Sequence, residues 1–197
     1  MKKTLLLLAA LLLVASCGSK NKKSDVDPVQ QAVIQALLAE DKKLESVLFD
    51  SFEKVDSSTF ADELLRRKKT FALRARQDEL LYNQYLKEGK PKNAQLRSES
   101  LRKDKEVSRG LDSLGAALGS RINDIAFYDY VFTGRGIGEG YTVVFNYVHA
   151  SVTPDCRVLA IRRKKTDLHK TTGKAIPGYE ALIKGIPEEE EEEEEAR

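Results

Sequence analysis

Apolar positions follow three kinds of spacing along this chain. Leu5 to Ala15 form an unbroken apolar run of eleven residues. From residue 28 to 118 apolar residues recur three, four or seven apart among charges, the spacing of helices with one buried face. From residue 121 to 162 β-branched and aromatic residues crowd into short runs, the pattern of strands.

Asp27-Pro28 reads as a helix start, with an N-cap acid and proline at the first position, where its missing N–H costs nothing. Val29, Val33, Leu37, Leu44, Leu48, Phe52 and Val55 then predict a long amphipathic helix, kinked or broken at the polar stretch Glu40-Asp41-Lys42-Lys43. A second start stands at Thr59, with Asp62 three residues on as a capping box. Phe60, Leu64, Phe71, Ala75, Tyr82, Tyr85 and Leu86 supply that helix's apolar face, and Gly89-Lys90-Pro91 ends it. Leu101, Val107, Leu111, Leu114 and Leu118 mark a third helix over 92–118.

Ile125 to Phe132 and Tyr141 to Val148 predict two strands, and the glycine-rich Thr133 to Gly140 between them reads as a hairpin loop. Val152 to Asp155 is a turn, and Cys156 to Arg162 reads as a third strand. Pro177 to Lys184 adds a short helix. The expected fold class is α+β: N-terminal long helices, as a helical hairpin or three helices, packed with a C-terminal three-stranded antiparallel β-meander.

The first apolar run changes the picture. Met1-Lys2-Lys3 precedes it, the charge-then-apolar order of a secretory signal. Crossing a bilayer takes about 20 apolar residues, so the run reads as a cleaved segment and not a span. The run closes on Val14-Ala15-Ser16-Cys17, which resembles the lipobox of bacterial lipoproteins. That resemblance covers only the first seventeen residues. It implies cleavage before Cys17, a diacylglyceryl group on its sulfur, acylation of the freed amine and a permanent bilayer anchor. It also implies that Cys17 is no catalyst. Gly18, where many inner-membrane lipoproteins carry aspartate, favours the outer membrane facing the periplasm. The resulting layout is a signal peptide at 1–16, lipidated Cys17 and tether at 17–27, and a helical region at 28–120. The meander with its short helix comes next at 121–187, then an acidic tail at 188–197. Ten tether residues reach at most about 35 Å, keeping the folded part near the membrane.

Charge is asymmetric. Without residues 1–16 the chain holds 31 Lys and Arg against 31 Asp and Glu, but Glu188–Glu195 are eight consecutive glutamates. Leaving out this run and Arg197 gives 30 basic against 23 acidic residues. Such a body suits an anionic partner. Arg162, Arg163, Lys164 and Lys165, at a strand end, are the candidate anion-binding patch. Arg66-Arg67-Lys68-Lys69 lies within a helix, where four consecutive positions point all round, and reads as a solvated face.

Chemistry is sparse. His149 and His169 are the only histidines, and neither has a cysteine, acid or second histidine at ligand spacing. No serine sits in a GxSxG elbow. The glycines Gly134, Gly136, Gly138 and Gly140 join two strands and precede no GK[ST], unlike a phosphate loop. No metal site or cofactor is expected beyond the lipid on Cys17. With Cys17 lipidated, Cys156 has no disulfide partner within the chain, which leaves burial or a bridge between chains, and its apolar run favours burial. The strand Tyr141 to Val148 carries apolar side chains at both parities, so a sheet covered by helices on one face leaves an apolar patch on the other. Tyr128 and Tyr147 are the candidate partner-binding residues. The sequence thus points to a non-enzymatic interaction or assembly module. Its expected partners are the bilayer through Cys17, with another envelope protein or an anionic envelope polymer, and no nucleic acid. A carrier of an apolar ligand such as lipid, and a hydrolase assembled from distant residues, are the alternatives.

Overall fold

A computed structural model describes residues 27–163 and 173–184. Asp27 accepts a hydrogen bond from the Val29 N–H at 2.8 Å and starts helix α1, Pro28–Glu40. The chain then breaks at Asp41, whose extended backbone (φ −121°) cannot continue a helix. Beyond the break the helix does not resume. Leu44–Thr59 is a sixteen-residue strand, β1, which corrects the expected helical continuation and the all-helical reading of 28–120.

At Thr59 the strand passes directly into helix α2, Phe60–Lys87. The expected capping box is formed: the Asp62 N–H donates to Thr59 Oγ1 at 3.2 Å, and the Thr59 N–H donates to Asp62 Oδ2 at 2.9 Å. Gly89 takes φ +65° and turns the chain into α3, Pro91–Leu118, and a 3₁₀ turn at Gly119–Asn123 leads out. Three further strands complete the sheet: β2 (Ile125–Gly138), β3 (Tyr141–Val152) and β4 (Val158–Arg162). Helix α4, Tyr179–Leu182, lies within the expected Pro177 to Lys184 segment.

The fold is therefore α+β, with a four-stranded antiparallel sheet in the order β1-β2-β3-β4 in place of the expected three-stranded meander. The α2/α3 hairpin is inserted between β1 and β2. Helix α1 covers one face of the sheet, where Val33 and Leu37 join Leu44, Val47, Phe132, Phe145, Val148, Ala150 and Val152 in one core. A second core closes the base of the hairpin: Leu64, Phe71, Val107, Leu111 and Leu118 meet Ile176 and Tyr179. Farther out the seam between α2 and α3 turns ionic. Arg74 pairs with buried Asp104 at 3.4 Å, and Arg97 with buried Asp78 at 3.0 Å.

The expected glycine loop is strand. Gly134 and Gly136 stand opposite Phe49 and Val47, and the turn narrows to Glu139-Gly140. Cys156 is not in β4. It occupies the β3–β4 turn with φ +64° and is half-buried. β1 is an edge strand, and its ladder with β2 slips beside Glu45, Asp50 and Val55. Such bulges, with Asp50, Glu53 and Lys54 alongside, guard an open edge against pairing with other chains.

Candidate functional site

The sheet face away from α1 carries a cluster of interlocked polar side chains. Register puts Asp129 opposite Ser151, and Val131 opposite His149, which in turn faces Arg162. Alternation then sets Asp129, Ser151, His149 and Arg162 on one face. The Ser151 hydroxyl donates to Asp129 Oδ1 and accepts from Arg162 Nη1 at 2.9 Å, while Arg162 Nη1 lies 3.7 Å from Asp129 Oδ1. Arg162 is 7% exposed and Ser151 1%. Burying a guanidinium is tolerable because carboxylate and hydroxyl both receive it.

This geometry revises the candidate anion patch. Arg162 is turned inward onto Asp129 and Ser151 and is unavailable at the surface. Arg163 is exposed but pairs with Glu40 at 3.2 Å, tying the end of β4 to the end of α1. Lys164 and Lys165 lie outside the described residues, as do Cys17, His169 and Glu188–Glu195.

Serine, histidine and aspartate on one face raise the question of nucleophilic catalysis. The hydrogen bonds answer against it here: Ser151 gives its proton to Asp129, and His149 Nδ1, buried, has no hydrogen-bond partner. A serine nucleophile needs its hydroxyl bonded to the base that takes its proton. Burial pushes the His149 imidazole below the ordinary histidine range, Asp129 opposes that shift, and Arg162 adds to it. The unfolded chain therefore binds this proton more readily than the folded one, so stability is retained above about pH 6.5 and falls as the pH drops below it. Urea titrations at stepped pH should show this loss, and His149→Gln should flatten the slope in that window. An NMR titration of His149 at the ordinary histidine value or higher would refute the assignment.

A second feature lies where the start of β2 meets the β3–β4 turn. An open groove of about 670 Å³ is lined by Phe60, Ile125, Ala126, Pro154, Asp155 and Arg157. The Thr153 hydroxyl donates to Asp155 and holds its carboxyl below the usual carboxylate range. Arg157 Nη2 donates to the Lys174 carbonyl at 3.2 Å. The groove offers an apolar floor edged by the carboxylates of Asp124 and Asp155 and the guanidinium of Arg157.

The third feature is apolar and exposed. Leu48, Arg135 and Val144 stand side by side across β1, β2 and β3, and Ile137 lies two residues on from Arg135 on the same face. Leu48 is 50% exposed and Val144 65%. Arg135 reaches Asp50 at 3.8 Å in the middle of this row. Tyr147, at the β3 bulge with φ +51°, is 74% exposed. Tyr128 is elsewhere. It lies opposite Val152, half-buried, with its ring edge-on to Tyr130 at 6.5 Å and Lys54 Nζ 4.7 Å from its centroid. The two candidate tyrosines therefore do not form one surface. Leu48, Ile137 and Val144 are members that sequence reasoning missed, and only the doubled apolar parity of β3 signalled them.

Among the described residues no group of three or more His, Cys, Asp or Glu is placed to hold a metal ion, and no helix is long and apolar enough to cross a membrane. Comparison with protein-family models, curated proteins and solved structures gives no match.

Proposed function

We propose that this protein is a bacterial envelope lipoprotein, anchored through acylated Cys17, that works as a non-enzymatic interaction or assembly module on the periplasmic face of the outer membrane. The anchor rests on Val14-Ala15-Ser16-Cys17. The interaction role rests on one observation: Leu48 and Val144, each at least half exposed, stand in one row on the sheet face that α1 leaves open, with exposed Tyr147 at the nearby β3 bulge. Exposed apolar rows of this kind mark contact surfaces for other proteins. In the polar cluster beside them Asp129, Ser151 and Arg162 are taken up with one another, which supports a holding role over a chemical one.

The test uses the full chain and its Cys17→Ser variant, with a radiolabelled fatty acid and a photo-crosslinking residue at position 144. The wild type should take up label, fractionate with membrane and yield a discrete crosslinked protein. Cys17→Ser should lose label and membrane association together. Leu48→Ser with Tyr147→Ser should cut the crosslink about tenfold while leaving the thermal midpoint nearly unchanged, since exposed substitutions usually alter stability by less than about 0.5 kcal/mol. An unlabelled wild type would sink the anchor. A crosslink indifferent to these substitutions would sink the interaction surface.

A further inference from the structure

The outward side of α2 carries a row that neither core uses. Leu65, Lys69, Leu73, Arg76, Leu80 and Lys87 are all exposed, the three leucines at 53, 67 and 65%. At about 100° per residue they fall within an arc of about 80°, roughly opposite the line of Leu64, Phe71 and Asp78 that faces α3. No Asp or Glu between Leu65 and Lys87 falls in that arc. The row runs about 33 Å along the helix.

Charge is concentrated on the same arm. Phe60 to Leu118 hold fourteen Lys and Arg against nine Asp and Glu. The other described residues hold ten against twelve. Among the described residues the basic excess is thus an excess on the hairpin, with α2 pairing cations and leucines along one side.

Three occupants fit parts of this row. A second copy of the same face would set Lys69 and Arg76 against like charges. The glutamates Glu188–Glu195 would meet the cations but give the leucines nothing apolar. The headgroup region of an anionic bilayer supplies both, acyl chains for the leucines and phosphates for long cationic side chains that reach past them. We propose that the Leu65–Lys87 side of α2 docks on an anionic lipid surface. This contact is separate from any lipid on Cys17 and from the Leu48/Val144 row.

The test reads α2 locally, so the state of the N-terminus does not enter. In the full chain carrying Cys17→Ser and Cys156→Ser, an environment-sensitive fluorophore is placed on Leu80→Cys or, for comparison, on Lys105→Cys of α3. Vesicles of phosphatidylcholine with phosphatidylglycerol should blue-shift the probe at 80 and shield it from an aqueous quencher. Pure phosphatidylcholine should not, and the probe at 105 should stay aqueous. Lys69→Glu with Arg76→Glu should weaken the response at least about tenfold, and high salt should weaken it too. An aqueous probe at 80 on anionic vesicles, equal responses at 80 and 105, or indifference to charge reversal would each overturn the proposal. The first of these outcomes points instead to an acidic protein as the occupant.

Discussion

Phe132→Ala should cost about 3–5 kcal/mol, a large part of the roughly 5–15 kcal/mol that holds a domain folded. Phe132 is fully buried at the centre of β2. Its ring lies 4.9 Å from Phe49, 5.9 Å from Phe52 and 6.0 Å from Phe145, so three strands meet on it beneath α1. Truncation forfeits the transfer free energy of the ring and leaves a cavity among aromatic neighbours, whose stiff side chains fill it poorly. The midpoint of urea unfolding should fall steeply, and Phe132→Leu should recover about half of the loss. A cost below about 1 kcal/mol would mean that α1 does not seat on this sheet.

The elements most legible in the sequence are those whose boundaries are set by local chemistry. Asp27-Pro28 starts α1, Thr59 and Asp62 cap α2, and Gly89-Lys90-Pro91 separates α2 from α3. Each signal is a side chain or a missing N–H acting within one turn, so distant residues cannot override it. β1 reads as helix because its bulges rewrite the strand period. The extra residues Glu45 and Asp50 make the core-side sequence Leu44, Val47, Phe49, Phe52, in steps of three, two and three. That spacing imitates a helix, and Leu44, Leu48, Phe52 and Val55 complete the illusion. The contrary sign is the Ser51 and Ser57-Ser58-Thr59 content, poor for a helix interior.

The candidate sites are less legible for a related reason. Arg162 reads as one letter of a basic run, and its burial depends on Asp129 and Ser151 arriving from two other strands. Leu48 joins Val144 only because β1 pairs with β2, and β1 is the strand whose spacing imitates a helix. Exposure on one sheet face is a property of register, which a single strand's sequence does not contain.

The glycines of β2 allow the sharpest test of that register. Gly134, Gly136 and Gly138 alternate along a strand, and what a Cβ would meet differs at each. At Gly136 it would lie 2.7 Å from Leu44 Cδ2, the end of a side chain that can rotate away. At Gly134 it would lie 2.2 Å from the Leu48 carbonyl oxygen and 3.0 Å from Phe49 Cα, both backbone of the neighbouring strand. No rotamer relieves that contact, so β1 itself must move. Gly134→Ala should therefore cost about 3 kcal/mol or more, at the upper end of what overpacking does, while Gly136→Ala should cost about 1 kcal/mol. Hydrogen exchange should show the amides of β1 losing protection in Gly134→Ala, whereas those of Leu64, Phe71 and Leu111 in the hairpin core stay slow. Equal costs at the two glycines would mean that β1 does not lie against Gly134, and Leu48 would then leave the exposed row that carries the proposed interaction.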